Sequence, residues 1–449
     1  MSATRDLTKG NIAAELFKYF LPIAAGLWFQ QLYNTVDAVV VGKYVGTTAL
    51  AAVGGSSAHI VSLLVGFFVS LTSGSAIIIA HLYGADERKD LTAAVGTGVA
   101  MCIAGGAVIM VVCMLVAPLL LRLMQTPEET IPGSLTYLRI YFLGTIFQLM
   151  ANMGSETLRA AGDSRDPFIF MLISCLTNIV LDLAFVLIFK LGVAGVAIAT
   201  VVSQLTNAAL ATVRLLTIDD TVRLIPKSIR IHKRLFTRMM RFGIPSGLQG
   251  SMYNISNLLL QSGVNLLGTT ASASWALSGK VDGFYWATTN ALGIAITNFI
   301  GQNYGAGRYD RVKSSIKSSL TLSLVMTFIL SGTILLVADK ALYFFTDDAA
   351  VHSDTLLIVR SIVPFYFTWS FVEVFQGTLR GIGDVGTPVI ILLLGVCVSR
   401  VVWMFTAFMA HKTLSMLCVC YPLSWSITAV ALMIHYFRKI KTLGTAPKG

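Results

Sequence analysis

Two aspartates lie within long apolar stretches, where an ionised carboxylate is energetically costly. Asp182 interrupts NIVLDLAFVLIF, and Asp37 interrupts LWFQQLYNTVDAVVVG. Asn178 precedes Asp182 by four residues, so both lie on one face of a helix. Ionisable groups in such stretches are functional by default. Because two close carboxylates in a low dielectric cannot both ionise cheaply, we expect this pair to share a proton or to bind a cation.

Other polar residues reach a similar depth in neighbouring apolar stretches. At a helix rise of about 1.5 Å per residue, Asp37 lies roughly 8 Å below the end of its stretch, and Asp182 and Thr200 lie about 10 Å below theirs. Asn34 and Gln30 precede Asp37 by one and two turns. The sequence therefore predicts a pocket of oxygen ligands and two carboxylates, formed by Asp37, Asn178, Asp182 and Thr200 with Gln30 and Asn34 nearby.

The oxygen ligands of this site suit H⁺ or Na⁺, and no set of His and Cys residues suggests a transition metal. Na⁺ is thus the only metal that we expect. The alternative is that Asp37 and Asp182 each form a local hydrogen bond that serves helix packing.

The composition indicates the element that must hold these residues. The chain has 449 residues, of which 55% are hydrophobic and 12% are charged, against about 25% charged in soluble domains. Apolar stretches of about 20 residues or more recur from Leu16 to the C-terminus, and each can cross a bilayer as a helix. The sequence therefore predicts an all-α integral membrane protein.

We predict twelve spans, with the approximate limits 16–42, 53–82, 93–121, 134–158, 167–189, 193–215, 239–267, 276–303, 315–338, 357–379, 387–409 and 413–437. About 24 of the 33 basic residues then fall on one side of the membrane, which places both termini in the cytoplasm. The net charge of +11 is explained by these loops, so we expect no nucleic acid partner.

The sequence also repeats. LRAAGD at 158–163 returns as LRGIGD at 379–384, and HLYGA at 81–85 returns as QNYGA at 302–306, both at an offset of 221. Six spans in each half make a parallel repeat with a pseudo-twofold axis along the membrane normal, a common transporter design. We predict an N-terminal lobe over 1–215, a basic linker over 216–238 and a C-terminal lobe over 239–449.

The repeat supplies an internal control for the acidic site. At the offset of 221, Asp182 corresponds to Trp403 and Asn178 to Ser399. The fold therefore does not require the acidic pocket, and its presence in the first half alone favours a functional role.

These features together resemble the multidrug and toxic compound extrusion (MATE) transporters, and most closely their DinF-like bacterial branch. The resemblance rests on two six-span halves, the repeated LRxxGD, the N-x-x-x-D of span 5, and Pro22 fifteen residues before Asp37. It implies a cation site at Asp37, Asn178, Asp182 and Thr200, and a hinge at Pro22. We also expect a monomer, because the two-lobed chain looks self-sufficient, and we expect it in the bacterial inner membrane.

The implied activity is H⁺- or Na⁺-coupled export of amphipathic, often cationic, organic compounds by alternating access of two lobes. No other cofactor is expected, and the chain is not expected to be an enzyme. Candidates for lining the substrate cleft are aromatic and methionine residues, namely Trp28, Tyr33, Met150, Met153, Tyr253 and Trp286. The nearest alternative is a lipid or lipid-linked saccharide flippase of the same superfamily.

The NorM-like branch of the family is associated with acidic residues in the second half. Asp282 and Glu373 are second-half acids in or near spans 8 and 10, and we treat them as secondary candidates. Their positions do not match that branch convincingly. Lys280, Arg360 or Arg400 could instead neutralise them.

Overall fold

The computed structural model describes residues 5–124, 126–218, 221–343, 346 and 348–443, apart from the side chains of 38, 39 and 47. These residues form helices and connecting turns, with no strand among them. One of the basic residues counted at the C-terminus, Lys448, lies outside the described range.

The first half contains eight α-helices and two π-helical turns. In order they are α1 (Ile12–Val40), a π turn (Val41–Val45), α2 (Thr47–Gly54), α3 (Ser56–Gly84), α4 (Arg88–Leu123), α5 (Ile131–Leu143), α6 (Thr145–Ala160), α7 (Arg165–Leu183), a second π turn (Ala184–Ile188) and α8 (Gly192–Thr217). A 3₁₀ turn (Pro226–Ser228) lies in the loop that follows.

The second half continues with α9 (Lys233–Leu266), α10 (Thr269–Val281), α11 (Gly283–Gly305), α12 (Tyr309–Leu342), α13 (Ala349–Ile362), a 3₁₀ turn (Val363–Phe365), α14 (Tyr366–Gly381) and α15 (Gly386–Leu392). It ends with a π turn (Leu393–Val398), α16 (Ser399–Trp403), a further π turn (Met404–Phe408) and α17 (Leu414–Lys441).

These helices account for all twelve predicted spans. Nine helical stretches among the described residues are long and apolar enough to cross a membrane, and they correspond to nine of the predicted spans. The remaining predicted spans, 4, 7 and 8, are formed by more polar helices. Several helices run beyond the predicted limits, because hydropathy reports only the apolar part of a helix.

Spans 4 and 10 are interrupted at equivalent positions, which their hydropathy does not indicate. Span 4 is divided at Gly144, and span 10 is divided at the turn Val363–Phe365. Phe365 follows Gly144 by 221 residues, so the break is part of the repeat. Pro364 cannot donate a backbone hydrogen bond, and a side chain at Gly144 would meet the Gln204 carboxamide.

The backbone repeats in its turns as well as in its helices. Gly46 and Gly268, which precede α2 and α10, have φ values of 112° and 103°. Gly162 and Gly383, in the repeated LRxxGD turns, have φ values of 88° and 85°. Residues with a side chain rarely adopt these left-handed backbone conformations, so glycine is required at both members of each pair. The parallel repeat that the sequence predicts is thereby confirmed.

The aspartates of the two LRxxGD turns have different surroundings. Asp163 is fully buried, and its Oδ1 accepts the backbone N–H groups of Arg165 and Asp166 at 3.0 and 3.1 Å. Burial, together with the facing Asp166 carboxylate, raises the pKa of Asp163 to about 6. Asp384 instead lies 2.8 Å from His435 Nε2.

The chain divides into two compact units. Unit 1 comprises Met1–Leu7 and Leu21–Gly250, and unit 2 comprises Thr8–Phe20 and Ser251–Gly449. Of the three boundaries, those after Phe20 and Gly250 fall inside the helices α1 and α9, whereas the sequence predicts a linker over 216–238. Hydropathy cannot reveal this, because it does not report which neighbours a helical turn contacts.

Specific contacts explain why each boundary falls where it does. In unit 1, the α3 backbone at Gly74 packs directly on the α9 backbone at Met239 and Gly243. In unit 2, Asn298 Nδ2 donates to the hydroxyl of Tyr19, in the first turns of α1, at 3.1 Å. Arg308 Nη1 also donates to the carbonyl of Thr8 at 2.6 Å.

Candidate functional site

The carboxyl groups of Asp37 and Asp182 face each other in unit 1. Asp37 lies one turn before the end of α1, and Asp182 is the penultimate residue of α7. The two side chains are close enough to interact electrostatically, although no hydrogen bond joins them among the described residues. Asp182 and Asn178 are each only 1% exposed, and both lie on the same face of α7. The structure therefore brings together three of the four predicted site residues.

This cluster contains more hydrogen-bond acceptors than donors. Asp37 Oδ1, both oxygens of Asp182 and Oδ1 of Asn178 are buried, and none accepts a hydrogen bond from the described residues. A buried polar atom without a partner costs about 1–3 kcal/mol, and more if it is charged. A proton between the carboxylates, or a cation among the oxygens, would satisfy them.

Tyrosines surround the acid pair, and the sequence prediction missed most of them. Tyr33 of α1 and Tyr137 of α5 interact electrostatically with both carboxylates. The rings of Tyr137 and Tyr141 lie 5.8 Å apart, and the Tyr141 hydroxyl donates to Gln148 Oε1 at 3.0 Å. A spacing of four residues between tyrosines in span 4 was the available signal, but it is also typical of packing.

Thr200 lies on α8, which packs along α7. It is 7% exposed, and its hydroxyl donates to the Val196 carbonyl at 3.0 Å. Its oxygen lone pairs are thus left for another partner. No hydrogen bond joins Thr200 to either carboxylate among the described residues, so its role as a ligand stays a prediction.

Gln30, Asn34 and Pro22 differ in how the structure places them. Gln30 and Asn34 are exposed, and within the described chain neither forms a hydrogen bond to the acid pair. Pro22 lies ten residues inside α1, which begins at Ile12. It is therefore an interior proline that cannot donate to the preceding turn, rather than a signal for the start of the helix.

Each aspartate is followed by a π turn. Val41–Val45 follows Asp37, Ala184–Ile188 follows Asp182, and the two turns contact each other. Such turns occur frequently at functional sites. However, the π turn Met404–Phe408 follows Trp403, the equivalent of Asp182, in the same way. The π turn is therefore common to both halves, whereas the acid is present only in unit 1.

The acids of unit 2 do not form a comparable pair. Asp282 Oδ2 accepts the Tyr366 hydroxyl at 2.7 Å and the Trp286 indole N–H at 3.0 Å. The suggested ion pairs with Lys280, Arg360 or Arg400 are not formed by Asp282 within the described chain. The carboxylate instead binds two neutral donors, the Tyr366 hydroxyl and the Trp286 indole N–H.

Glu373, the other secondary candidate, packs against α11. Its carboxylate occupies the space beside Gly293, where a side chain would overlap it. Its charged neighbour is Arg380, two turns along α14, and not the Arg360 or Arg400 that the sequence suggested.

The candidates for the substrate cleft fall into two groups. Met153 is 1% exposed and fills the space beside Gly98 in the core of unit 1, so its position indicates packing and does not support a cleft role. Met150 also packs against that core. The other four candidates are half-buried, namely Trp28, Tyr33, Tyr253 and Trp286.

Comparison with known proteins agrees with this architecture. The MatE family model matches residues 22–184 and 245–406, one match in each half. The chain is 28% identical over 408 residues to the probable multidrug resistance protein YoeA of Bacillus subtilis, covering 88% of this chain and 86% of that protein. It is 30% identical over 309 residues to the probable multidrug resistance protein YpnP of the same organism, covering 68% of each.

Solved structures show the same fold. An outward-facing multidrug resistance MATE family transporter of the MOP superfamily superposes with a TM-score of 0.89, at 21% identity, over 98% of both chains. The resemblance expected from LRxxGD and the two six-span halves is thereby confirmed, and this multi-pass membrane protein belongs to the MATE family of multidrug transporters.

Proposed function

We propose that this chain is a cation-coupled antiporter that exports amphipathic organic compounds. The observation that carries the proposal is the buried pair Asp37 and Asp182, whose oxygens lack hydrogen-bond donors within a membrane-spanning unit. The coupling ion is H⁺ or Na⁺, because carboxylate and amide oxygens serve either.

Coupling requires that the ion bind one conformational state more tightly than another. The acid pair supports such a difference. Two facing carboxylates repel each other. A small change in their separation therefore strongly changes the binding free energy of a proton or Na⁺ between them. Asn178 Oδ1, one turn before Asp182, adds a further oxygen.

The substrate class is inferred from the family. The relatives YoeA and YpnP are described as probable multidrug resistance proteins, and we propose the same broad range of amphipathic, often cationic, compounds here. We further propose a monomer in the cell membrane of a bacterium with both termini in the cytoplasm, since the basic residues concentrate in loops on that side. We propose no enzymatic activity.

The test is export of a fluorescent cationic dye from proteoliposomes that contain the wild type, Asp182→Asn or Asp37→Asn. A Na⁺ gradient and a pH gradient are imposed separately. We expect one gradient to drive export by the wild type, and each variant to lose that dependence while it remains folded. Asp310→Asn, which alters an exposed acid, is the matched control and should export normally.

Normal gradient-driven export by Asp182→Asn would refute the site. Transport that neither gradient drives would instead favour the flippase alternative. The same preparations give thermal unfolding curves, which separate loss of coupling from loss of fold.

A further inference from the structure

Unit 2 contains a buried arginine without an acidic partner. Arg400 of α16 is 1% exposed, and its Nε and Nη1 donate to Ser424 Oγ at 3.3 Å and Asn257 Oδ1 at 3.4 Å. Its Nη2 is buried and has no hydrogen-bond partner. A buried guanidinium that has only neutral partners carries an uncompensated positive charge.

Aromatic rings enclose this charge. The guanidinium carbon of Arg400 lies 4.1 Å from the ring centroid of Tyr421 and 5.6 Å from that of Tyr253. Cation–π contacts of this kind stabilise the cation but leave its N–H groups free to donate. No aspartate or glutamate forms an ion pair with Arg400 among the described residues. Asp282, the acid of the same aromatic cluster, is occupied by Tyr366 and Trp286.

Two indole N–H groups share this lack of acceptors. Trp369 Nε1 and Trp425 Nε1 are buried without a hydrogen-bond partner. Their rings lie 5.9 Å apart, and the Trp425 ring lies 5.4 Å from that of Tyr421, which stacks on Arg400. Three unpaired donors thus belong to one aromatic cluster, and buried donors of this kind are rare in folded proteins.

The repeat shows that this arrangement is specific to unit 2. Arg400 directly follows Ser399, the equivalent of Asn178, on the span that corresponds to the acid-bearing span of unit 1. The residue equivalent to Arg400 is Ile179. Among the described residues, the acidic span of unit 1 thus buries carboxylate oxygens without donors, and the equivalent span of unit 2 buries a guanidinium N–H group without an acceptor.

We propose that the cluster of Arg400, Tyr253, Tyr421, Trp369 and Trp425 is a binding site for the carboxylate of an aromatic organic anion. The carboxylate supplies the acceptor that Arg400 Nη2 lacks, and the neighbouring rings, which include the two indoles with unpaired N–H groups, suit the aromatic part of the ligand. A small inorganic anion would pair with the guanidinium but would make no use of these rings. Binding of the anion at this site does not depend on the proposed export function. Only the further step, that the bound anion is a transported substrate, rests on it.

The test is equilibrium dialysis of 2-naphthoate against the full-length protein in lipid nanodiscs, with empty nanodiscs subtracted and no ion gradient. The neutral isostere 2-naphthamide is measured in parallel, and chloride is exchanged for gluconate in a separate arm. We expect the wild type to bind the acid at least about tenfold more tightly than the amide, since a charged hydrogen bond is worth about that factor.

Arg400→Gln should abolish this preference, and Arg400→Lys, which keeps the charge, should retain part of it. Arg360→Gln removes an exposed charge from the same unit and should behave as the wild type. Equal binding of acid and amide by the wild type would overturn the proposal, as would a preference that survives in Arg400→Gln. Displacement of naphthoate by chloride at equal concentration would overturn the proposal that the ligand is an aromatic anion.

If Arg400→Gln does not fold, the comparison of acid with amide on the wild type and on Arg400→Lys still decides. Because binding is measured without a gradient, failure of ion coupling at Asp182 leaves this result unchanged. The two proposals therefore fail separately.

Discussion

Asp182 and Trp403 occupy equivalent positions of the two halves, yet their side chains have opposite hydrogen-bonding states. Both carboxylate oxygens of Asp182 are buried without a donor. The indole N–H of Trp403 donates to the Met416 carbonyl at 2.9 Å. The same backbone position thus carries an unsatisfied acid in unit 1 and a satisfied packing residue in unit 2.

Moving the acid across the repeat should not move ion coupling. Trp403→Asp combined with Asp182→Asn places a carboxylate in unit 2, where no second acid faces it. We expect this double variant to lose gradient-driven dye export, because the site needs the Asp37–Asp182 pair. The single variant Trp403→Asp reports whether unit 2 tolerates the change. Gradient-driven export by the double variant would show that one acid in either half suffices.

Asp282→Asn should leave ion-coupled export intact, although Asp282 is a buried acid. Two neutral donors already satisfy its carboxylate, and Asn keeps an acceptor oxygen for at least one of them. Dye export under each gradient gives the measurement, with Asp182→Asn as the comparison. Loss of coupling in Asp282→Asn would place part of the cation pathway in unit 2.

Two glycines on α3 should respond oppositely to substitution by alanine. An added Cβ at Gly74 would overlap the α9 backbone at Met239 and Gly243, whereas a Cβ at Gly66 has no atom within 4 Å. We expect Gly74→Ala to lower the free energy of unfolding by about 1–3 kcal/mol. Gly66→Ala should stabilise the helix by roughly 0.5–1 kcal/mol. Thermal unfolding in nanodiscs compares them, and equal behaviour would contradict the packing of α3 on α9.

The stability of the LRxxGD turn in unit 1 should depend on pH. The pKa of Asp163 rises to about 6 in the folded protein, from an ordinary value of about 4. Between these values the folded state binds more protons than the unfolded state, so the free energy of unfolding falls as pH rises through this window. Above it, the ionised Asp163 costs about 3 kcal/mol.

Asp163→Asn should remove that cost, since its amide oxygen can still cap α7 and its NH₂ group can donate to Asp166. We expect a higher apparent Tm at pH 8 and a gain that shrinks towards pH 5. The control is Asp384→Asn, which loses contacts to His435 and Lys439 and should gain nothing at pH 8. Parallel pH profiles for the wild type and Asp163→Asn would contradict the assignment.

Hydropathy and the offset of 221 were sufficient to predict the twelve spans and the repeat. They did not predict the break at Gly144, where the close approach of the Gln204 side chain from another helix leaves no room for a Cβ. They also do not report that two unit boundaries fall within α1 and α9. A contact such as that of Asn298 with Tyr19 is not encoded in either local pattern.

The acid pair was predictable because charge in an apolar helix is rare and the helix rise converts sequence position into depth. The tyrosines around it were not, since Tyr137 and Tyr141 resemble ordinary packing residues. Arg400 was noted only as a possible counter-ion, because a sequence does not show which buried donors lack acceptors. Asn34 and Gln30 were placed one and two turns before Asp37, but both side chains are exposed.

The π turns after Asp37 and Asp182 each insert one surplus residue into a helix. Because a π turn closes each hydrogen bond over one residue more than an α-helix does, the side chains beyond it are displaced by about 100° around the helix axis. The two π turns also contact each other. The ends of both acid-bearing helices therefore share one segment of non-α backbone, directly beyond the carboxylates.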